Sequence, residues 1–352
     1  MNTNRSRTMR RWGAVTVAAV ALVLASCAPG PATPNQAALQ SAGTWLDSQF
    51  TAQNWFPGFN PANPDAVNAA QAVANLAALG IGPQSQSARL SRLADDMTTA
   101  MNDGTADVPG TIARYILAIV ATGGNPRSVG GADLVDRLEA TIQPDGRFGA
   151  QYPGFDGAYR QGVSLAALSV VSPRPVSITP GPGQTIADLP AVAWLLDQQC
   201  DDGSWMAFRS DTEAPCVEDP DTWTYKDSNG SAMAVLGLSA VGATAPADPA
   251  NWFDSVRGDD GGWGAFPAGP TTVSDADSTG LVIAALESLG DAPDESAYTA
   301  LRSFQLGSSA PAADQGAFTW QLAAPAPNAY ATLDAMAALF DETWPQSLVP
   351  AS

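Results

Sequence analysis

A short turn, Asp-Gly followed closely by a large aromatic residue, returns three times between helical runs, and that recurrence constrains the fold more than any other feature of the sequence. The copies are Gln143-Pro-Asp145-Gly146-Arg-Phe148, Gln199-Cys-Asp-Asp202-Gly203-Ser-Trp205 and Asp259-Asp260-Gly261-Gly262-Trp263. Asp-Gly favours a tight turn because glycine accepts a positive φ without steric cost, and the aromatic that follows can bury a large apolar area against the neighbouring repeat. Asp314-Gln-Gly316-Ala-Phe318 is a degenerate fourth copy.

Helical periodicity around these turns predicts six hairpins. They pair Gln36 to Gln49 with Ala66 to Leu79, Ser85 to Met101 with Pro109 to Gly123, and Ala132 to Ile142 with Gly157 to Val171. Three more pair Ile186 to Gln199 with Asp227 to Val241, Pro249 to Arg257 with Asp275 to Leu289, and Glu295 to Phe304 with Asn328 to Phe340. The second helices end about 43 to 50 residues apart, stretched to about 70 across the proline-rich insertion near Pro173 and Pro180. Six hairpins of this size can close on themselves, so the expected fold is all-α: an α6/α6 toroid, a double ring of six helical hairpins. The first helices, read as long and amphipathic, suit an outer ring with one wet face; the second, crowded with Ala, Gly and Ser, suit a closely packed inner ring. All inner helices would then start on one face, and the long loops before them form a mouth.

Residues 1–26 have a basic start (Arg5, Arg7, Arg10, Arg11) followed by an apolar run from Gly13 to Leu24 too short to span a bilayer, the pattern of an export signal. The run ends Leu24-Ala25-Ser26-Cys27, which resembles the lipobox of bacterial lipoproteins and implies a lipid on Cys27. Residues 27–35 are a Pro-rich tether, 36–344 the toroid and 345–352 a tail. The expectation is an exported protein held by its lipid at the extracytoplasmic face of a membrane. In that compartment Cys200 and Cys216 are expected to form a disulfide. The formal charge is −19, and loss of the four leading arginines takes it to −23, a body that repels nucleic acid and anionic lipid headgroups. The chain has no histidine, which excludes Ser-His-Asp and Cys-His mechanisms and leaves the usual zinc ligand sets incomplete, so neither metal nor cofactor is expected.

With the turns and hairpins in hand, the chain resembles the terpenoid cyclase and protein prenyltransferase superfamily, squalene cyclase-like α/α toroids with a Gln-x-x-Asp-Gly-x-Trp-like turn. The resemblance spans Gln36 to Trp344 and implies the toroid independently of the periodicity. Asp275-Ala-Asp277-Ser278-Thr279 is similar to the Asp-x-Asp-Asp-Thr motif of class II cyclases, implying Asp277 as the acid that protonates an alkene or epoxide, with Asp275 beside it. Ser278 replaces the last acid of that motif, and no second toroid follows. The zinc histidine of prenyltransferase β subunits and the Cys-Gly-Glu-Gln thioester are both absent.

The alternative for these aspartates is helix capping: Asp65, Asp227 and Asp275 precede inner helices in register, with Asp156 one residue off. The leading expectation is a noncatalytic binding protein whose ligand, a small molecule, glycan or protein, meets the mouth through Asp65, Asp156, Tyr159, Trp223, Tyr225, Asp227 and Tyr330. Cobalamin carriers with the same fold show that such a ring can act purely by binding. The other readings are a terpenoid-cyclase-like enzyme acting on an isoprenoid lipid through Asp277, and a glycan-active toroid hydrolase or lyase, which would need two carboxylates across a cleft.

Overall fold

The computed structural model describes residues 32–58, 65–102, 104, 106–150, 157–219, 221 and 224–350. Twelve α-helices form among them: α1 (Pro34–Gln49), α2 (Ala66–Ala78), α3 (Pro83–Ala100), α4 (Pro109–Ala121), α5 (Leu134–Glu139), α6 (Gly157–Ser169), α7 (Pro190–Asp197), α8 (Ser228–Val241), α9 (Pro249–Val256), α10 (Ala276–Leu289), α11 (Glu295–Ser303) and α12 (Ala329–Ala335). Each predicted hairpin is present, and no strand is longer than an isolated bridge among the described residues.

The even-numbered helices make the inner ring: α2 packs on α4, and so on through α6, α8 and α10 to α12, which packs back on α2. Small residues permit the close crossings. A Cβ on Gly162 of α6 would lie 2.0 Å from the Met233 carbonyl of α8, and one on Gly280 of α10 would lie 2.6 Å from Ala335 Cα of α12. The odd-numbered helices surround this ring, with α3, α5, α7, α9 and α11 each lying against the inner helix that precedes it.

The recurring turn locks neighbouring repeats together. Phe148, Trp205, Trp263 and Phe318 are wholly buried. The backbone N–H of each donates to an inner-helix side chain, at Gln161, Ser231, Thr279 and Thr332 respectively, over 2.9 to 3.0 Å. Both tryptophans also donate their indole N–H to an outer-helix carbonyl, Leu195 and Phe253, at 2.8 Å. Burying such rings with every polar hydrogen satisfied makes the turn a rigid joint.

Three expectations change. The outer helices are not uniformly long: α5 has 6 residues and α7 and α9 have 8 each, against 13 or 14 in α6, α8 and α10. Buried loop residues such as Ile178 share the work of covering the inner ring there. The segment read as a tail is part of the body: a 3-10 turn, Gln346–Leu348, lies against α2 and α4 with Leu348 buried, because an apolar side chain at the open end of the ring gains by leaving water. The tether also ends sooner, since Thr33 and Gln36 form a capping box that starts α1 at Pro34. The signal segment and Cys27 lie outside the described residues.

Candidate functional site

Inner helices begin together on one face. The first N–H groups of α6, α8 and α10, at Ala158, Ser228 and Ala276, donate to the loop carbonyls of Ala207, Ala265 and Trp320, each in the following repeat. The segments 50–58, 201–219, 258–275 and 304–328 therefore build the described part of the rim. Phe266, Trp320, Leu322 and Tyr330 stand on it about half exposed, and Tyr225 packs against Phe266 with ring centroids 5.1 Å apart.

Carboxylates at the helix starts act as caps. Asp65 accepts from the Asn68 N–H at 2.9 Å, Asp227 from Asn229 at 3.0 Å and Asp275 from Ser278 at 2.8 Å, each meeting backbone donors at the positive end of a dipole. Asp275 accepts a second N–H from Ala265 at 3.2 Å. Asp65 also accepts the Tyr330 hydroxyl at 2.9 Å, which joins the first repeat to the last. Burial outweighs these bonds at Asp227, whose pKa is pushed up to about 6, and it raises Asp275 as well.

Asp277 differs from these capping residues. It sits in the first turn of α10 with Oδ1 buried and without a hydrogen-bond partner among the described residues. Desolvation, then the charges of Asp334 and Asp275, hold its carboxyl well above the usual carboxylate range, so it keeps its proton at pH values where an exposed aspartate is ionised. Asp334 of α12 faces it electrostatically and is raised by burial, with Arg114 and the Gln71 amide pulling it back down. From Asp334 a polar chain crosses the ring axis. Gln71 of α2 donates to Asp334 at 2.8 Å, Arg114 of α4 donates to Gln71 at 3.3 Å and to the Tyr159 hydroxyl of α6 at 3.0 Å. Four of the six inner helices are thus joined at one level.

Below this chain the axis is filled. Leu117, Val163, Leu281 and Leu333 from the ring meet Trp344 and Leu348 from the C-terminal segment, and the cavity left is about 20 Å³. That is room for roughly one water molecule. The arrangement can disfavour the charged form of Asp277 and order a buried polar network.

Of the residues chosen from sequence, the structure brings together Asp277 and Tyr159 through the Asp334 network, Asp65 and Tyr330 directly, and Tyr225 with the exposed Phe266. Asp156 and Trp223 lie outside the described residues. Cys200 and Cys216 are joined, with Cα atoms 5.7 Å apart. No group of three or more His, Cys, Asp or Glu able to hold a metal occurs among the described residues. Sequence reasoning missed Gln71, Arg114 and Asp334. Their signal was available: a charged or amide side chain in a helix wetted on neither flank has only the ring axis to face.

Neither a protein-family model nor a curated protein sequence matches the chain. Solved structures do. A protein from Actinoplanes superposes with a TM-score of 0.52 at 13% identity, covering 90% of this chain and 100% of that one. Haptocorrin in complex with Cbi gives 0.49 at 15%, covering 88% and 67%. A type II terpene cyclase from Scytonema, in complex with its product merosterolic acid A, gives 0.49 at 13%, covering 87% and 96%. At such identities the likeness is one of fold, the all-helical toroid, and function rests on the site.

Proposed function

We propose that this protein is a membrane-tethered, extracytoplasmic toroid that binds a ligand or partner at its rim and carries out no chemistry. One observation carries the reading: the ring axis holds a cavity of about 20 Å³, while drug-sized ligands occupy pockets of roughly 300 Å³ or more. The accessible recognition surface is the rim, where Phe266, Trp320, Leu322 and Tyr330 offer half-exposed apolar area beside acidic loops. A neutral or cationic partner suits a body of this charge. The tether rests on Leu24-Ala25-Ser26-Cys27, and the Cys200–Cys216 bond is consistent with an oxidising compartment.

Radiolabelled palmitate incorporation tests the address. Label is expected in the wild type and absent from Cys27→Ser; its persistence in the variant overturns acylation at that residue. For the binding role, protein extracted from membranes is examined by native mass spectrometry, with a retained adduct expected that Phe266→Ala/Trp320→Ala loses. An adduct untouched by those changes overturns the rim assignment.

The second reading, a terpenoid-cyclase-like enzyme, is favoured by the buried, proton-holding Asp277 beside Asp334. Incubation with farnesyl and geranylgeranyl compounds decides between them. Cyclised product made by the wild type and lost in Asp277→Asn at unchanged melting temperature would establish the enzyme.

A further inference from the structure

The end of the axis away from the rim is closed by a segment that belongs to neither ring. All six inner helices line the axial cavity, the last of them through α12 and the 3-10 turn that continues it. Trp344 and Leu348 are the remaining lining residues, and both come from the stretch that follows. Leu348 is buried, and Trp344 packs partly buried against the core.

The way this stretch is held separates it from the rest of the fold. Its backbone bonds are local: the Ser347 N–H donates to the Thr343 carbonyl at 3.1 Å, Leu348 to Pro345 at 3.0 Å and Val349 to Gln346 at 2.9 Å. Among the described residues no hydrogen bond joins 343–349 to the inner ring. The rim loops differ, since their carbonyls accept the first N–H groups of α6, α8 and α10. Docking even leaves the Ser347 hydroxyl buried without a partner among the described residues, which works against the docked state. Apolar contact through Leu348 and the Trp344 ring is therefore what keeps the stretch in place. Its join to α12 suits movement. Asp341, Glu342 and Thr343 are exposed, and Asp341 accepts from the Gln36 amide at 3.1 Å, which ties the near end of the join to α1.

We infer that residues 344–349 are a plug: an occupant supplied by the chain itself for an axial binding chamber that opens when the plug swings out about residues 341–343. The inference is independent of the rim assignment. The chamber's ligand class follows from what the plug places in it, an indole ring and an isobutyl group. An apolar cavity of about 150 Å³ takes benzene, so withdrawal of both side chains makes room for a neutral molecule of one or two aromatic rings or a branched chain of like size. Gln71, Arg114, Tyr159 and Asp334 at the inner end are already bonded to one another, so a charged head would stay unpaired there. Ligand and plug compete for one place, and the closed state lowers the apparent affinity by the fraction of molecules that are open.

Prodan, a neutral naphthalene whose emission moves to the blue in apolar surroundings, serves as the probe of the purified full chain. Leu348→Asp turns the plug out, because an ionised carboxylate cannot stay unpaired against an apolar wall. The variant is expected to keep wild-type helicity and a single cooperative melt. It should bind prodan about ten- to hundredfold more tightly than the wild type, the factor that releasing one buried leucine makes. Adding Ala337→Trp, at a lining position of the axis, refills the chamber and should remove that gain, which also provides the blank for partitioning into detergent. In the wild type, prodan at saturation should expose the Ser347–Leu348 bond and speed its cleavage by thermolysin by about tenfold. Four results overturn the plug: loss of helicity or of the cooperative melt in Leu348→Asp, prodan affinity in that variant no higher than in the wild type, a gain that survives Ala337→Trp, or wild-type cleavage that prodan does not speed.

Discussion

Gln305, at the end of the last outer helix, donates through Nε2 to the carbonyl of Ala38 in the first helix, 2.8 Å away. The same nitrogen reaches the Gly316 carbonyl of its own turn at 3.0 Å. Gln199 does the same inside the chain, bonding to Ala247 of the next repeat at 2.9 Å and to Gly203 of its own turn at 3.1 Å. The bond that links neighbouring repeats is therefore reused to join the two ends of the ring. Gln305→Ala is expected to lower unfolding stability by about 1 to 3 kcal/mol in urea, because it strands two carbonyls at the closing seam. Gln143, whose amide donates to the nearby Thr141 carbonyl and to no neighbouring repeat among the described residues, should lose no more than about 1 kcal/mol on the same change.

The turns also interlock by close approach. A Cβ at Gly146 would stand 2.1 Å from the Pro190 carbonyl of the following repeat, and backbone cannot step aside cheaply. Gly146→Ala should cost about 3 kcal/mol or more. At Gly123, also of positive φ but facing open space, alanine should cost only the left-handed conformation, about 1 to 2 kcal/mol. Thermal melts of the two variants compare them directly.

Asp275 and Asp277, two residues apart, should respond oppositely. Asp275→Ala removes a buried cap and is expected to cost about 1 to 2 kcal/mol. Asp277→Asn replaces a carboxyl whose charged form is disfavoured by burial and by the charges of Asp334 and Asp275 with a neutral amide of the same shape, so stability at pH 7 should be equal or higher. Chemical denaturation at pH 7 reads both.

Stability should peak a little below about pH 4. Asp227 is raised from 3.8 to about 6 and Glu287 from 4.5 to about 7, both chiefly by burial. Each binds more protons folded than unfolded across its window, so stability falls as pH rises through it. Asp294 is lowered from 3.8 to about 2 by bonds from Ser296 and Arg257, and its contribution is lost as pH drops through that range. Glu287→Gln keeps an acceptor for the Tyr298 hydroxyl, now at 2.6 Å, and should flatten the decline between about pH 4.5 and 7. Urea midpoints taken across pH 2 to 8, at the order of one unit apart, would show the peak and its change.

The Cys200–Cys216 bond closes a loop of sequence separation 16 at the start of the rim segment that begins at residue 201. Cys216→Ser should lose about 3 kcal/mol. Wild-type protein unfolded with a reductant present should match the variant, and a variant as stable as oxidised wild type would contradict the estimate.

Much of this architecture was readable in the residues. Hairpin boundaries followed from apolar spacing punctuated by Gly80, Gly123, Gly242 and Gly290, and the aromatic turns were visible wherever Asp-Gly announced them. In the first two repeats Phe56 and Met101 take the aromatic's place: the carbonyl of each accepts the N–H of the residue before the inner helix, Asp65 and Val108, as Trp205 and Trp263 do for Asp227 and Asp275. Both are buried, but Phe56 has no Asp-Gly beside it, and Asp103-Gly104 follows Met101 with no aromatic after it, so the aromatic turn pattern marked neither. The candidate site was legible only in part. Asp277 stood out by its neighbours in sequence, whereas Asp334, Gln71 and Arg114 are defined by meeting across the axis from separate repeats.

The sequence by itself determined the number of hairpins, their order and the small residues that let the inner helices touch, because these depend on periodicity and local turn chemistry within about fifty residues. Tertiary structure decided what fills the ring. Whether its centre is a chamber or a packed core depends on Trp344 and Leu348 returning over the end where α12 finishes and on a polar chain drawn from four helices. Those contacts join residues of separate repeats, from 43 to 263 positions apart along the polar chain, and no local pattern encodes such a meeting; only the closing of the ring brings them within reach.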